Sequence, residues 1–309
     1  MGLLRAGRPL PTLMIAIVLP LLALGYALTP RPQPQPLPTA THAPTPTPWR
    51  SPTPPPTATI AVTATAAPVA TPTARPGMIA ERNLGYVPIL MYHYIREVDA
   101  AVDPLGFRLS VRPDRFAEQM AWLERGGFTP LTMRDLAACL RGERHCPERP
   151  VAITFDDGYA DQAEHALPVL RRYGFPATFY IVTGFVGREG YMGWEELAAL
   201  RDAGMELGAH THSHADLTGL SQSEATREIT LSRSLLEQRL GVEVVSFSYP
   251  AGSYNGALAA LVHRLGFSSA VITAPRERVR MLYHLPRRRV LGGETIEGFA
   301  WYVVPPVEE

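Results

Sequence analysis

The sequence contains no lysine, so all 29 of its basic residues are arginines, set against 29 acidic ones. A net charge of zero argues against a nucleic-acid binder held by a basic surface. Acidic residues are missing before Glu81, and Arg5, Arg8, Arg31, Arg50 and Arg75 give residues 1–80 a charge of +5. The remainder holds 24 basic against 29 acidic residues, or −5. Cysteine is scarce: Cys139 and Cys146 are the only two, and one pair at this spacing lacks the partner set of a cysteine metal site. Large apolar residues are scarce over residues 30–76, where 15 of the 31 prolines and 11 threonines fall. Such a stretch cannot repay its ordering entropy, so residues 30–80 read as a disordered, polyproline-rich linker.

What is present begins with an apolar run at residues 13–28, preceded by Arg5 and Arg8. A positive leader before a short apolar segment reads as an export signal. Two outcomes stay open. Residues 1–29 are a signal peptide cleaved after Ala27, or a retained anchor whose residues 11–28 make about 27 Å of helix, barely enough to span a bilayer. The positive-inside rule then places the rest of the chain outside the membrane, secreted or tethered. Membrane contact is expected only through this apolar segment. Cys139 and Cys146 would lie in a disulfide-permissive compartment, and a local bridge is expected.

From residue 81 to 309 short apolar runs alternate with helical periodicity. Residues 87–94, 151–155, 176–182, 206–210, 244–249 and 269–273 read as strands. Residues 114–127, 194–203, 221–240 and 255–265 read as helices, the third opened by a Ser221/Glu224 capping box and closed by Gly241. Alternation of this kind implies an α/β fold with a mostly parallel sheet. About seven units in this length fit a distorted (β/α) barrel better than an open sheet, although periodicity alone does not separate the two.

In either architecture ligands gather where strands end. The run VAITF exits into Asp156-Asp157-Gly158, ELGAH into His210-Thr211-His212-Ser213-His214, VVSFS into Tyr249-Pro250-Ala251-Gly252, and ILMY into His93. Side chains alternate along a strand, so Asp156 and Asp157 point different ways. One carboxylate can ligate a metal while the other stays free as a base. Histidines at i and i+4 suit a shared helical turn and one metal.

TFDDGY (154–159), HTHSH (210–214) and FSYPAG (247–252) together resemble the successive motifs of the polysaccharide deacetylase family, the NodB-homology carbohydrate esterases. The resemblance spans residues 85–305 and includes LPR at 285–287. It implies a distorted (β/α) barrel, a divalent metal (usually Zn2+, with Co2+, Ni2+ or Mn2+ as alternatives) and removal of acetyl groups from N-acetylated, sometimes O-acetylated, polysaccharide. By position Asp156 matches the catalytic base, and Asp157, His210 and His214 the metal ligands. His212 falls on a non-ligand position. Many relatives carry an arginine two residues before Pro250; here Ser248 stands there, and Arg287 is the candidate to replace it. Otherwise Arg287–Arg289 reads as a solvated basic strand. Pro250 and Gly252 shape a loop whose Ala251 N–H can hold an oxyanion. The general acid is His93, from the M-Y-H motif, or His284, from L-Y-H, with His93 favoured. The alternatives to a deacetylase are a non-catalytic glycan-binding relative and an amidase on the same scaffold. A monomer is the favoured oligomeric state.

Overall fold

A computed structural model describes residues 86–274 and 281–304. The expected signal or anchor (1–29) and linker (30–80) lie outside the described residues. Among the described residues no helix is long and apolar enough to cross a membrane.

The apolar run near residue 90 forms β1 (Ile89–Tyr92). It is followed by α1 (Pro104–Leu109), α2 (Pro113–Arg125), β2 (Thr129–Leu131), α3 (Met133–Leu140) and β3 (Pro150–Phe155). Next come α4 (Leu167–Tyr173), β4 (Thr178–Ile181), α5 (Trp194–Asp202), β5 (Glu206–Ala209) and α6 (Gln222–Leu240). The chain then forms β6 (Ser246–Ser248), α7 (Gly256–Arg264), β7 (Ser269–Thr273), β8 (Leu285–Arg289) and α8 (Ile296–Val303). The Ser221/Glu224 capping box is formed, and Gly241 closes α6 with φ 64°.

All strand pairs are parallel, and seven strands close a ring in the order β1, β3, β4, β5, β6, β7, β8. Closure comes from β1, which pairs Ile89 with Ala152 on one side and Leu90 with Arg288 on the other. The expected barrel of seven strands is therefore present. An eighth strand, β2, lies outside the ring along the first half of β3, where Thr129 faces Pro150.

Period-two alternation divides each strand between two environments. Leu90, Tyr92, Val151, Ile153, Phe155, Phe179 and Phe247 belong to the larger core against the helices. There the Phe155 and Phe179 rings stack 4.5 Å apart. The opposite set includes Ile89, Ala152, Tyr180, Val271 and Leu285, together with Met133 and Leu136 of α3. Helix α3 closes the barrel where the strands begin. Its first N–H groups, which lack intrahelical partners, donate to Thr178 Oγ1 (Met133 N, 2.9 Å) and to Glu206 Oε2 (Arg134 N, 2.8 Å). Ser246 and Thr178 donate to the same buried Glu206 carboxylate. Gly208 has no alternative here: a Cβ would sit 2.5 Å from the Tyr180 ring that fills the barrel. Cys139 and Cys146 are bridged, with Cα atoms 5.2 Å apart, as expected.

Candidate catalytic site and metal centre

The alternation that puts Val151, Ile153 and Phe155 against the helices puts Thr154 and Asp156 inside the barrel mouth. The same rule in β8 turns Leu285 and Arg287 inward and Arg288 outward. Arg288 is consequently not the solvated strand residue expected: it is buried against α8, with its guanidinium 4.9 Å from the Trp301 ring. Arg287 is 1% exposed and grips Asp156 through two parallel bonds of 2.6 Å, Nη1 to Oδ1 and Nη2 to Oδ2. It also donates to Thr154 Oγ1 (3.1 Å) and Ser248 Oγ (2.9 Å). Ser248, at the position where arginine was expected in relatives, thus accepts a bond from the arginine of another strand. Burial alone would raise the Asp156 carboxyl. The Arg287 charge, helped by His210, outweighs it and holds the group below its ordinary value.

Asp157 leaves the strand with φ 73°. Its Oδ1 lies 3.4 Å from Nε2 of His210 and 3.4 Å from Nε2 of His214. The helical turn expected for these two histidines is absent. β5 ends at Ala209, and Thr211 and His214 both take φ 61°, so the loop folds back on itself instead. His210 Nδ1 lies 2.8 Å from the Ser248 carbonyl, which can only accept. Nδ1 must therefore carry a proton, which leaves Nε2 as the atom facing Asp157. Asp157 Oδ1 itself is buried without a hydrogen-bond partner. The three groups offer ligand atoms within 4.8 Å of one another. Ligands about 2.0–2.1 Å from a tetrahedral ion are about 3.3–3.4 Å apart. Two of the three separations match that edge, so the donor set fits one divalent cation. Burial opposes ionisation of Asp157, but His210, then His93 and His214, hold its carboxyl well below the usual range. Burial lowers His214, and the His210 charge adds to that.

His93 follows β1 on the inward parity of Ile89 and Met91. Its Nδ1 is buried without a partner. Burial lowers its pKa, against the raising influence of Asp156 and Asp157. His284 is placed differently. It precedes β8, at the opening end of its strand, and stacks on Tyr254 with ring centres 5.1 Å apart. The four non-glycine residues with positive φ among the described residues are Asp157, Thr211, His214 and Ala251. All lie in the motif loops, where such strain is held by surrounding structure. Pro250–Gly252 forms a tight turn with Ala251 at φ 55° and exposed. A Cβ on Gly252 would come 2.6 Å from the Thr273 nitrogen, so only glycine lets this loop approach β7.

Three supports were not anticipated from the sequence. Gln162 begins a π-helical turn (Gln162–Ala166) and donates to the backbone carbonyls of His93 (2.7 Å) and Asp156 (2.6 Å), tying two strand exits together. Glu228 of α6 accepts the N–H groups of His212 (3.0 Å) and Ser213 (2.8 Å) on one oxygen, which fixes the turn ahead of His214. His212 faces Thr183 Oγ1 at 3.0 Å and is not one of the metal-ligand group. The third is a row of aromatic side chains from Phe185 to Tyr94. No motif spacing announced any of these.

Residues 143–270 match the family described as polysaccharide deacetylase. Over 219 residues the chain is 31% identical to YxkH of Bacillus subtilis (strain 168), named as a polysaccharide deacetylase, covering 70% of this chain and 76% of that protein. It is 27% identical over 199 residues to the poly-β-1,6-N-acetyl-D-glucosamine N-deacetylase of Staphylococcus aureus (strain MRSA252), covering 57% of this chain and 68% of the other. Among solved structures, the Streptococcus pyogenes deacetylase PplD in complex with acetate is similar with a TM-score of 0.65 at 26% identity, covering 71% of this chain and 99% of that one.

Proposed function

The chain belongs to the polysaccharide deacetylase family, and we propose that it hydrolyses acetyl groups from N-acetylated sugars of an extracytoplasmic polysaccharide, using one divalent metal ion, Zn2+ first among the candidates. The observation that carries this reading is the division of labour between adjacent carboxylates. Asp157 faces the Nε2 atoms of two imidazoles, while Asp156 is held ionised by Arg287. The named activity of the S. aureus relative makes poly-N-acetylglucosamine the first substrate to try. The apolar segment and linker ahead of the barrel support a polymer outside the cell.

Asp157, His210 and His214 would hold the cation. When bound, it supplies Lewis acidity toward the acetyl oxygen and acidifies water. Asp156 accepts the proton of the water that adds to the acetyl carbon. Both its oxygens are engaged by Arg287, but each keeps a second lone pair for this. The Ala251 N–H donates to the developing oxyanion. His93 delivers a proton to the sugar nitrogen as the C–N bond breaks, and acetate and the free amine leave. Its position on the same barrel mouth as Asp156 is what favours it over His284 as the acid. The test is mass-spectrometric detection of deacetylation across acetylated polymers, with chelator and with added zinc or cobalt. Asp156→Asn should keep the metal and lose most activity. A fully active Asp156→Asn protein would show the base to be misassigned, and no acetate from any acetylated polymer would reject the function.

A further inference from the structure

The aromatic row leads away from the proposed metal ligands in short steps. Phe185 lies 6.5 Å from the His214 ring and Tyr191 5.0 Å from Phe185. Tyr159 lies 4.9 Å from Tyr191, and Tyr94 4.3 Å from Tyr159. The Arg96 guanidinium ends the row, 3.8 Å from the Tyr94 ring centre. All five of these side chains beyond His214 are half-buried. They come from the exits of three strands: β1 for Tyr94 and Arg96, β3 for Tyr159, and β4 for Phe185 and Tyr191. A ring left partly in water forgoes burial worth having, so a row of them at one barrel mouth is not what packing alone would select.

Arg96 also lines a cavity of about 740 Å³, whose wall includes Asp99, Phe107, Gln119 and Glu294. That volume is in the range of small-molecule sites. The wall carries three arginines and four carboxylates, a net of −1, and its arginines are already paired. Arg112 is paired with Glu97 and Asp114, Arg115 with Glu118, and Arg96 lies 3.6 Å from Asp161. Asp99 accepts the Ala101 N–H, and Glu294 accepts the Tyr302 hydroxyl. A wall with paired arginines, spare carboxylate acceptors at Asp99 and Glu294 and the ring of Phe107 suits an uncharged polyhydroxyl ligand rather than an anion. Sugar C–H faces stack on aromatic rings, and their hydroxyls pair with carboxylate and guanidinium groups.

We propose that the row and the cavity form a subsite for an acetylated sugar unit neighbouring the one whose acetyl group is removed. The polymer lies across Tyr159 and Tyr94 and places the next unit beside Arg96. The proposal rests on the deacetylase reading for the identity of its ligand, but its test does not.

The probes are acetylated N-acetylglucosamine oligomers and the monosaccharide, titrated calorimetrically into the zinc-loaded full chain carrying Asp156→Asn, which should not turn them over. Tyr94→Ala and Arg96→Ala are each expected to weaken binding of the long oligomer by about 3- to 10-fold and to leave the monosaccharide and the metal affinity unchanged. Ala100→Trp is a second route, since Ala100 is an exposed turn residue on the cavity wall and the larger ring fills the space without removing a partner. It should reduce oligomer affinity in the same way. Equal losses on short and long ligands, or none on either, would overturn the subsite. The two readings fail separately. Acetate release with unaltered chain-length dependence, when the three substitutions are placed in the chain that keeps Asp156, sinks the subsite alone. Oligomer binding that the variants weaken, with no acetate ever released by the unmodified chain, sinks the deacetylase alone.

Discussion

Arg287→Met isolates the pair at the centre of the barrel. Met approximates the length of the side chain but removes every donor, leaving the Asp156 carboxylate 3% exposed with its two 2.6 Å bonds gone. Breaking a buried pair from one side costs about 3–5 kcal/mol, because the remaining charge is stranded. At about 2–4 °C per kcal/mol for a domain of this size, Tm should fall by about 6–20 °C. The partner change is the control. In Arg287→Met/Asp156→Asn nothing charged is stranded, so the double variant should be more stable than Arg287→Met alone, with a coupling of at least about 2 kcal/mol. The sign of the pH dependence follows from the lowered Asp156 pKa, whose ordinary value is 3.8. A depressed carboxyl contributes stability above the unfolded value and loses it as pH falls through the folded one, so the unmodified pair is intact at neutral pH. In Arg287→Met burial is opposed only by the histidines. The Asp156 pKa rises, and the acidic limb of the kcat/KM profile moves toward higher pH. Thermal melts of the four proteins read the coupling, and the pH–rate profile reads the base. A coupling near zero, or an acidic limb that stays in place, would refute the argument that Arg287 holds Asp156 ionised.

Other perturbations separate ligand from support. His214→Ala should lower bound metal from one ion per chain to substoichiometric levels, measured by elemental analysis after dialysis. Glu228→Ala should weaken metal affinity by about 10- to 100-fold, as outer partners of metal ligands do. Glu228→Gln should retain most of it, since a single amide oxygen can accept both the His212 and Ser213 N–H groups. Metal titration calorimetry distinguishes these from a general loss of stability. Reducing the Cys139–Cys146 bridge, which spans a sequence separation of 7, should cost about 2–3 kcal/mol, read as a lower Tm in reductant.

The amino-acid sequence alone determined the parts that rest on local periodicity and adjacency. The apolar runs were long enough to mark six of the strands, and helix caps such as Ser221/Glu224 are local chemistry. Asp156-Asp157 at a strand exit already marked the pair as candidate site residues. The segment of β8 read at most as a solvated basic strand, because its inward and outward arginines leave no apolar run to signal burial. β2 is three residues long, too short to show alternation. Tertiary structure decided everything that joins distant segments. It closed the ring through β1, replaced the expected helical turn at His210–His214 with left-handed bends, and left His284 stacked on Tyr254 at the opening end of its strand. It set Arg287, 131 residues from Asp156, as that carboxylate's partner, with Ser248 accepting from the same guanidinium. The physical reason is that a parallel barrel brings the exits of successive strands to one mouth. The chemistry is written in short motifs, whereas the pairing among them depends on strand register and parity, which no single motif contains.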